Sequence, residues 1–413
     1  MRLSKQFFTA TFPPERHADK PTSELLTDGL IAHFASAGIP HYMPVGKAIL
    51  CNIESALLRQ ADKIGFDVVE IPSIMGNDTI EDGQEVGEEF RSKFMALTDR
   101  MSGYHLLSTP EMLFVRLAQS TLLSHRQLPV RQVYMNDFFR QIHDARSILK
   151  GKQFRVFGGI SLEKDAAGVT QGLEAFRTMT EMAFEAMGLP FHVERNRGYL
   201  DSEYFYLTDG EGDNLVLDGI NKTERVKALS LAMAYHYGAD KNLAIRYRTS
   251  TNDNGKLSLV TYGLGTQRLL YCIMDHYRDE KGFNLPDNLR PFDISLIPRS
   301  QGDQDAAERA YNHLKESGQK VCMDDRYRLR LTERGQAADY IGCSYNIVIS
   351  ADGLTIKNRD GHTVKRFQTM DEFIASTDDR PAQTMPPFSH HQAVADSRIE
   401  NVFSTGSIRA RTP

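Results

Sequence analysis

Two segments of this chain carry cations at places where an anion could be held. Val133 to Arg140 reads as a strand, and Gln141 to Lys152 as a polar loop bearing His143, Arg146, Lys150 and Lys152. A strand resumes at Phe154, so the whole describes a hairpin whose charged tip reaches toward an anion. Further on, the strand Leu257 to Tyr262 and the turn Gly263-Leu-Gly265 lead into a helix over about Thr266 to Arg278. Arg268 lies in its first turn, where a guanidinium can face phosphates. Each segment alone is weak: Gly-x-Gly is a common tripeptide. Taken singly, Arg146, Lys150 and Lys152 also read as solvated loop charges and Phe154 as an alternating core position. Cys51, Cys272, Cys322 and Cys343 form no Cys-x-x-Cys pair, which argues against a zinc knuckle or a disulfide framework and fits a reducing cytoplasm.

The background composition is ordinary. The 413 residues are 41% hydrophobic and 25% charged, which excludes a disordered or fibrous chain and allows about two or three domains. The net charge of −5 gives no global positive field for nucleic acid and leaves room only for a local basic patch. No apolar run approaches the roughly 18 residues of a membrane helix, and the first residues carry no apolar signal core. A cytoplasmic protein without membrane attachment is expected.

Several elements must position the cations. Residues 1–21, with Pro13-Pro14, read as an extended arm. Leu25, Leu26, Leu30, Ile31 and Phe34 recur at helical spacing, predicting a helix from Ser23 to about Phe34 that ends at Ala37-Gly38-Ile39-Pro40. A longer helix after Gly46 places Ile49, Leu50, Ile53, Ala56, Leu57 and Ala61 on one stripe, closes at Gly65, and is followed by a strand from Phe66 to Pro72. Glu174 to Met187 is an amphipathic helix, and Tyr204 to Leu217 reads as a hairpin turning at Asp209 to Asp213. Past Pro286 and Pro291 the composition shifts. Strands at Phe292–Pro298, Lys320–Met323 and Tyr345–Ser350 alternate with helices at Ala306–Ser317 and Thr332–Tyr340, the pattern of an α/β domain with a mainly parallel sheet. The expected divisions are 1–21, 22–288, 289–378 and a disordered Pro-, Ser-, His- and Arg-rich tail over 379–413.

Three stretches in fixed order are more specific than any of them alone. Gly38-Ile-Pro-His-Tyr-Met-Pro44-Val-Gly46 precedes the long helix; Phe138-Phe139-Arg140 opens the charged loop; Thr261-Tyr-Gly-Leu-Gly265-Thr-Gln-Arg268 opens the later helix. Together they resemble the three signature motifs of class II aminoacyl-tRNA synthetases, and the chain is most similar to the prolyl-tRNA synthetase family. The resemblance implies an α+β fold: a six-stranded antiparallel sheet flanked by helices, dimerised through the first motif, plus a C-terminal α/β anticodon-binding-like domain. It also implies ATP-dependent activation of proline or an analogue and transfer to tRNA by a homodimer.

The resemblance further suggests roles. Arg140 would hold the α-phosphate of ATP and the amino-acid carboxylate, Arg268 the terminal phosphates, and Arg146 would close over the triphosphate. Adenine would stack on Phe154, and Mg²⁺ would ride on the phosphates with no protein ligand assigned. Thr109, Glu111, Glu203, Met233 and Tyr262 would form the amino-acid pocket; read alone, Glu111 is equally an acid complementing a helix N-terminus. Arg326, Arg328, Arg330 and Arg334 form a basic cluster that could meet tRNA, and is equally consistent with a solvated face. The chain departs from the family pattern at Ile142, where a carboxylate is usual, and at Gln153, Gly158 and Ala232-Met233. The stretch from Phe154 to Thr261 leaves no room for an inserted editing domain. Retained phosphate-handling arginines beside altered recognition residues suggest a changed amino acid or acceptor. The alternatives are transfer to a carrier-protein thiol or a small-molecule amine, and a non-catalytic tRNA-binding or regulatory paralogue.

Overall fold

The computed structural model describes residues 1–6, 17–82, 91–121, 123–145, 147–217, 225–237 and 243–378. The chain begins with a short helix α1 (Thr22–Leu26), a hairpin of β1 (Ala32–Ser36) and β2 (Ile39–Tyr42), and the long helix α2 (Pro44–Ile64). The expected helix over Ser23–Phe34 is therefore only α1. Its apolar residues Leu25, Leu26, Leu30 and Ile31 are buried as the periodicity implied, but Gly29 at φ +103° breaks the helix and the chain turns into the hairpin. In α2 the stripe from Ile49 to Ala61 is buried. Pro44 opens the helix, where its missing N–H costs nothing, and Gly65, at φ +86°, closes it in the left-handed region.

The large sheet has eight strands. They are β3 (Asp67–Val68), β4 (Val130–Phe139), β5 (Gln153–Glu163), β6 (His192–Arg195), β7 (Ser202–Leu207), β8 (Asp213–Leu215), β9 (Val226–Tyr237) and β10 (Ser258–Gly265). Their order is β3-β4-β5-β10-β9-β7-β6, with β8 also paired to β9; β3 joins β4 in parallel and the other pairings are antiparallel. Three expectations are corrected. The sheet has eight strands rather than six and is not wholly antiparallel, because the short β3 adds in parallel at one edge and β8 adds to the end of β9. The strand after Gly65 is only Asp67–Val68. The segments from Tyr204 to Leu217 do not pair with each other, since β7 and β8 both pair with the longer β9, whose hydrogen-bonding groups they share.

Helices α3 (Glu111–Ser120), α4 (Ala166–Ala186) and α5 (Thr266–His276) complete this part. Helix α4 starts well before Glu174, because Asp165 caps it by accepting a hydrogen bond from the Gly168 N–H at 2.8 Å. Strand alternation divides the side chains between two faces. Val133, Phe157, Val260, Tyr262 and Leu264 join the cluster under α2, α4 and α5. Tyr134, Phe138, Val156, Ile160 and Leu259 join a second cluster with Met112, Phe114 and Val115 of α3. The candidate site lies on this second face.

A smaller five-stranded sheet follows, built from β11 (Ile294–Pro298), β12 (Val321–Met323), β13 (Tyr345–Ser350), β14 (Gly353–Asn358) and β15 (Thr363–Phe367). Its order is β12-β11-β13-β14-β15, with parallel pairing on both sides of β11 and antiparallel pairing in the other two ladders. It is thus half parallel rather than mainly so; the turn at Gly353 hides two strands from a reading based on strand–helix alternation. Helices α6 (Gln304–Glu316), α7 (Leu331–Ile341) and α8 (Met370–Asp378) flank it. Cys322, Ala338, Tyr340, Ile341 and Cys343 pack into the same cluster as Phe283 and Leu285, while Leu296, Leu314, Met323, Ile347 and Phe373 form a separate core under α6 and α8. The first residues are no free arm. Leu3 is buried, the Met1 ammonium donates to the Tyr311 hydroxyl at 2.6 Å, and Ser4 donates to Asp325. Pro13-Pro14 and the tail 379–413 lie outside the described residues. No described helix is long and apolar enough to cross a membrane.

Candidate active site

A cavity of about 1420 Å³ opens on the second face of the large sheet, and Arg140, Phe154, Arg268, Thr109, Glu111 and Met233 all line it. Arg140 follows the last residue of β4, where its N–H donates to the Lys152 carbonyl at 2.9 Å and holds the hairpin stem closed. Its guanidinium sits 4.9 Å over the Phe154 ring and reaches the Ser108 carbonyl at 3.4 Å. Arg268 lies in the first turn of α5; it donates to the Leu149 carbonyl at 3.2 Å and the Ser230 carbonyl at 3.0 Å, tying the charged loop to β9. Burial pushes the Arg140 guanidinium below its ordinary value; Glu111 and the nearby Tyr235 and Tyr199 oppose this, and Arg268 adds to it. Arginine keeps its proton through such shifts, so the cavity holds two cations whose repulsion an anion would relieve.

The same cavity is also built around Glu111, the first residue of α3, which is only 6% exposed. Thr109 donates to its Oε2, while the Tyr235 hydroxyl at 2.9 Å and the Thr261 hydroxyl at 3.2 Å both donate to its Oε1. Burial first, and then this carboxylate, hold the Tyr235 phenol well above its usual range. Tyr235 escaped the sequence reading. The signal was strand alternation: Met233, Tyr235 and Tyr237 share one face of β9, and all three line the cavity.

The structure separates other expected residues from the cavity interior. Tyr262 borders the cavity, but its ring packs toward α4, stacking on Phe176 at 5.1 Å, and its hydroxyl accepts from Thr180 at 3.0 Å. Neighbours along a strand face opposite ways, so Thr261 is the residue that meets Glu111. Glu203 does not line the cavity although it is paired with Met233 across β7 and β9; its carboxylate accepts from the Ser230 hydroxyl at 2.7 Å. Arg146 lies outside the described residues. The basic cluster is divided. Arg334 is 2% exposed and donates to the carbonyls of Pro298, Asp324 and Arg299, and Arg326 is buried in a two-bond pair with Asp324 at 2.9 and 2.6 Å. Only Arg328 and Arg330 are exposed.

The departures from the family pattern also have physical settings. Ile142 lines the cavity and offers no polar group. Gln153 donates to Asp137 at 3.0 Å instead. At Gly158 a Cβ would stand 2.1 Å from the Tyr134 hydroxyl, so the glycine makes room for a buried tyrosine lining the cavity. Gly158→Ala is expected to lower stability by about 1–3 kcal/mol through overpacking, read as an earlier thermal melt, and an unchanged melt would refute this. Among the described residues no group of three or more His, Cys, Asp or Glu side chains is placed to hold a metal ion.

No protein-family model matches the chain. It is similar to the proline–tRNA ligase of Wolbachia sp. subsp. Drosophila simulans, at 24% identity over 417 residues that cover 89% of this chain and 97% of that protein. It is likewise similar to the proline–tRNA ligase of Ehrlichia canis, at 24% over 398 residues, covering 85% and 91%. Among solved structures, prolyl-tRNA synthetase from Cryptosporidium parvum, complexed with halofuginone and AMPPNP, shares the fold at a TM-score of 0.67 and 13% identity, covering 86% of this chain and 78% of that one. The Giardia lamblia enzyme in complex with prolyl-adenylate does so at 0.64 and 14%, covering 88% and 78%.

Proposed function

We propose that this chain, a class II prolyl-tRNA synthetase-like protein, activates proline or a close analogue with ATP and passes the aminoacyl group to tRNA. The observation that carries the reading is that Arg140 and Arg268, far apart in sequence, line one cavity with the Glu111 carboxylate beside them. In activation, an amino-acid carboxylate oxygen attacks the α-phosphorus of ATP and pyrophosphate leaves. Two anions must meet, so catalysis is positioning plus neutralisation of charge. The forked Arg140 guanidinium can donate to a carboxylate oxygen and an α-phosphate oxygen at once. Arg268 would face the leaving pyrophosphate. Glu111 would accept from the substrate ammonium, orienting its carboxylate toward Arg140.

Phe154 would pack against adenine, leaving Ile142 to meet the base edge with an apolar side chain. Mg²⁺ would enter on the phosphates: of the lining carboxylates, Glu111 is occupied by hydroxyls and Asp144 is paired with Lys150. The small sheet, with exposed Arg328 and Arg330, would serve as the anticodon-binding domain, and the first motif as a homodimer contact.

ATP–pyrophosphate exchange by the purified full chain, screened over the standard amino acids and cyclic imino acids, tests the first step. Exchange with L-proline or a relative is expected, and no exchange with any of them would overturn the reading. A second acceptor is favoured by one observation: the interior placement of Arg326 and Arg334 removes half the cations expected to meet tRNA. In that reading the adenylate goes to a carrier-protein thiol or a small-molecule amine. Charging of total tRNA decides between them.

A further inference from the structure

We infer that Gln267 reads the sugar of the nucleotide, its side-chain amide meeting a ribose hydroxyl, so that the site selects ribonucleotides over deoxyribonucleotides. The inference rests on the proposed use of ATP and deepens it. Gln267 lies in the first turn of α5, is 5% exposed and lines the cavity. Its Oε1 is enclosed and receives no hydrogen bond among the described residues. Leaving a buried acceptor without a donor costs more than an ordinary hydrogen bond gains, so such a group on a cavity wall points to a ligand that brings the donor.

The sheet sets where this amide stands. Gly265, two residues earlier, is paired with Val156 across β10 and β5, and the Thr266 hydroxyl donates to the Arg155 carbonyl at 3.1 Å. The first turn of α5 is thereby fixed beside the strand that carries Phe154. On its other side comes Arg268, the next residue. With adenine on Phe154 and the phosphates on Arg140 and Arg268, the part of the nucleotide left between them is the ribose. The neighbouring groups on the cavity wall offer it little: the Ser230 hydroxyl is given to Glu203, the Ser230 carbonyl is taken by Arg268, and Leu231 is apolar.

A hydroxyl is the group this amide suits. Ionised phosphate oxygens only accept and would leave Oε1 as it is. A ribose hydroxyl donates to Oε1 and accepts from an amide N–H, so it satisfies the side chain whichever way its two ends are turned. A deoxynucleotide brings no such donor and buries the amide unpaired. A site of this kind rejects the analogue that lacks the hydroxyl more strongly than shape alone would.

The test is ATP–pyrophosphate exchange by the full chain and by Gln267→Met, which keeps length and bulk and removes the amide. ATP, 2′-deoxy-ATP and 3′-deoxy-ATP are compared, each with the amino acid that the wild type activates fastest. The wild type is expected to favour ATP over at least one deoxy analogue by about tenfold or more in kcat/KM, the size of one lost hydrogen bond at a buried group. In Gln267→Met that preference is expected to fall to within about threefold, the loss lying in ATP while the deoxy analogue changes little. Three results overturn the inference: a wild type indifferent to both hydroxyls, a variant that loses ATP and both analogues in equal proportion as a merely structural role requires, or a preference left intact while the Mg²⁺ requirement rises, which would make the amide oxygen a metal ligand. Exchange with none of the nucleotides by the wild type overturns the underlying reading instead, so the two failures are distinguishable.

Discussion

Arg140→Ala is expected to lower ATP–pyrophosphate exchange by about a thousandfold or more, chiefly in kcat, because in the proposed activation the lost donor acts where charge is transferred. The guanidinium is held from two sides, by the Phe154 ring 4.9 Å below it and by the Ser108 carbonyl. It is thus preorganised before substrate arrives, and its effect in the transition state carries no reorganisation cost. Arg140→Lys should recover only a small part of the rate, since an ammonium is a point charge and cannot bridge two oxygens in a fixed plane. Arg268→Ala should act more on ATP, raising its KM. It should also loosen the loop, because the same side chain joins Leu149 to Ser230. In the proposed reaction both cations serve one anion, so the double variant should lose less than the product of the single effects. Exchange by Arg140→Ala within tenfold of wild type would refute the assignment. A folded variant, checked by an unshifted circular dichroism spectrum, keeps that outcome interpretable.

Where the sequence was legible, a repeating apolar pattern met a single buried face. The stripe on α2 and the paired strands β4 and β5 are of this kind, and both flank the site. Legibility failed where one residue redirected the chain: Gly29 stops a helix that Leu30 and Ile31 would otherwise extend, and their side chains are buried by a hairpin instead. In the site, Arg140, Glu111 and Arg268 carry charge and announce themselves. Tyr235 and Thr261 do not, because their contribution depends on cross-strand register that one strand alone does not display. Tyr262 was drawn into the pocket by its place in the glycine-rich motif, although alternation from Thr261 puts it on the helix face. Arg326, Arg328, Arg330 and Arg334 look alike as letters, since charge is written in the sequence and burial is not. The overlooked sign was the company they keep. Asp324 and Asp325 precede the cluster, and Arg334 falls on the face of α7 that carries Ala337, Ala338 and Ile341 inward.

Arg334 consequently belongs to the architecture of the small sheet, and its removal should be the most damaging single change there. Its guanidinium takes the carbonyls of Pro298 at 2.6 Å, Asp324 at 3.2 Å and Arg299 at 3.2 Å. These sit at the C-terminal ends of the parallel strands β11 and β12, where carbonyls point out of the sheet with no further strand to receive them. The planar fork supplies several donors from one side chain, and the Tyr327 ring 5.7 Å away covers it. Burial pushes this guanidinium below its ordinary value and the Asp324 carboxylate opposes the shift. Arg334→Ala would leave the buried carbonyls of Pro298 and Asp324 unpaired, free the partly buried Arg299 carbonyl to water and open a cavity, a loss of about 3 kcal/mol or more. Arg334→Met restores the packing but not the donors, so it should recover only part of that loss. Arg330, with its side chain 83% exposed, provides the contrast: Arg330→Ala should melt with the wild type. If the small sheet meets tRNA, Arg330→Ala should also weaken binding and reduce the slope of affinity against salt by about one counterion. Thermal melts of the three variants beside filter-binding titrations at several salt concentrations separate the two roles. An Arg334→Ala chain that melts with the wild type and loses only tRNA affinity would return this residue to the surface cluster.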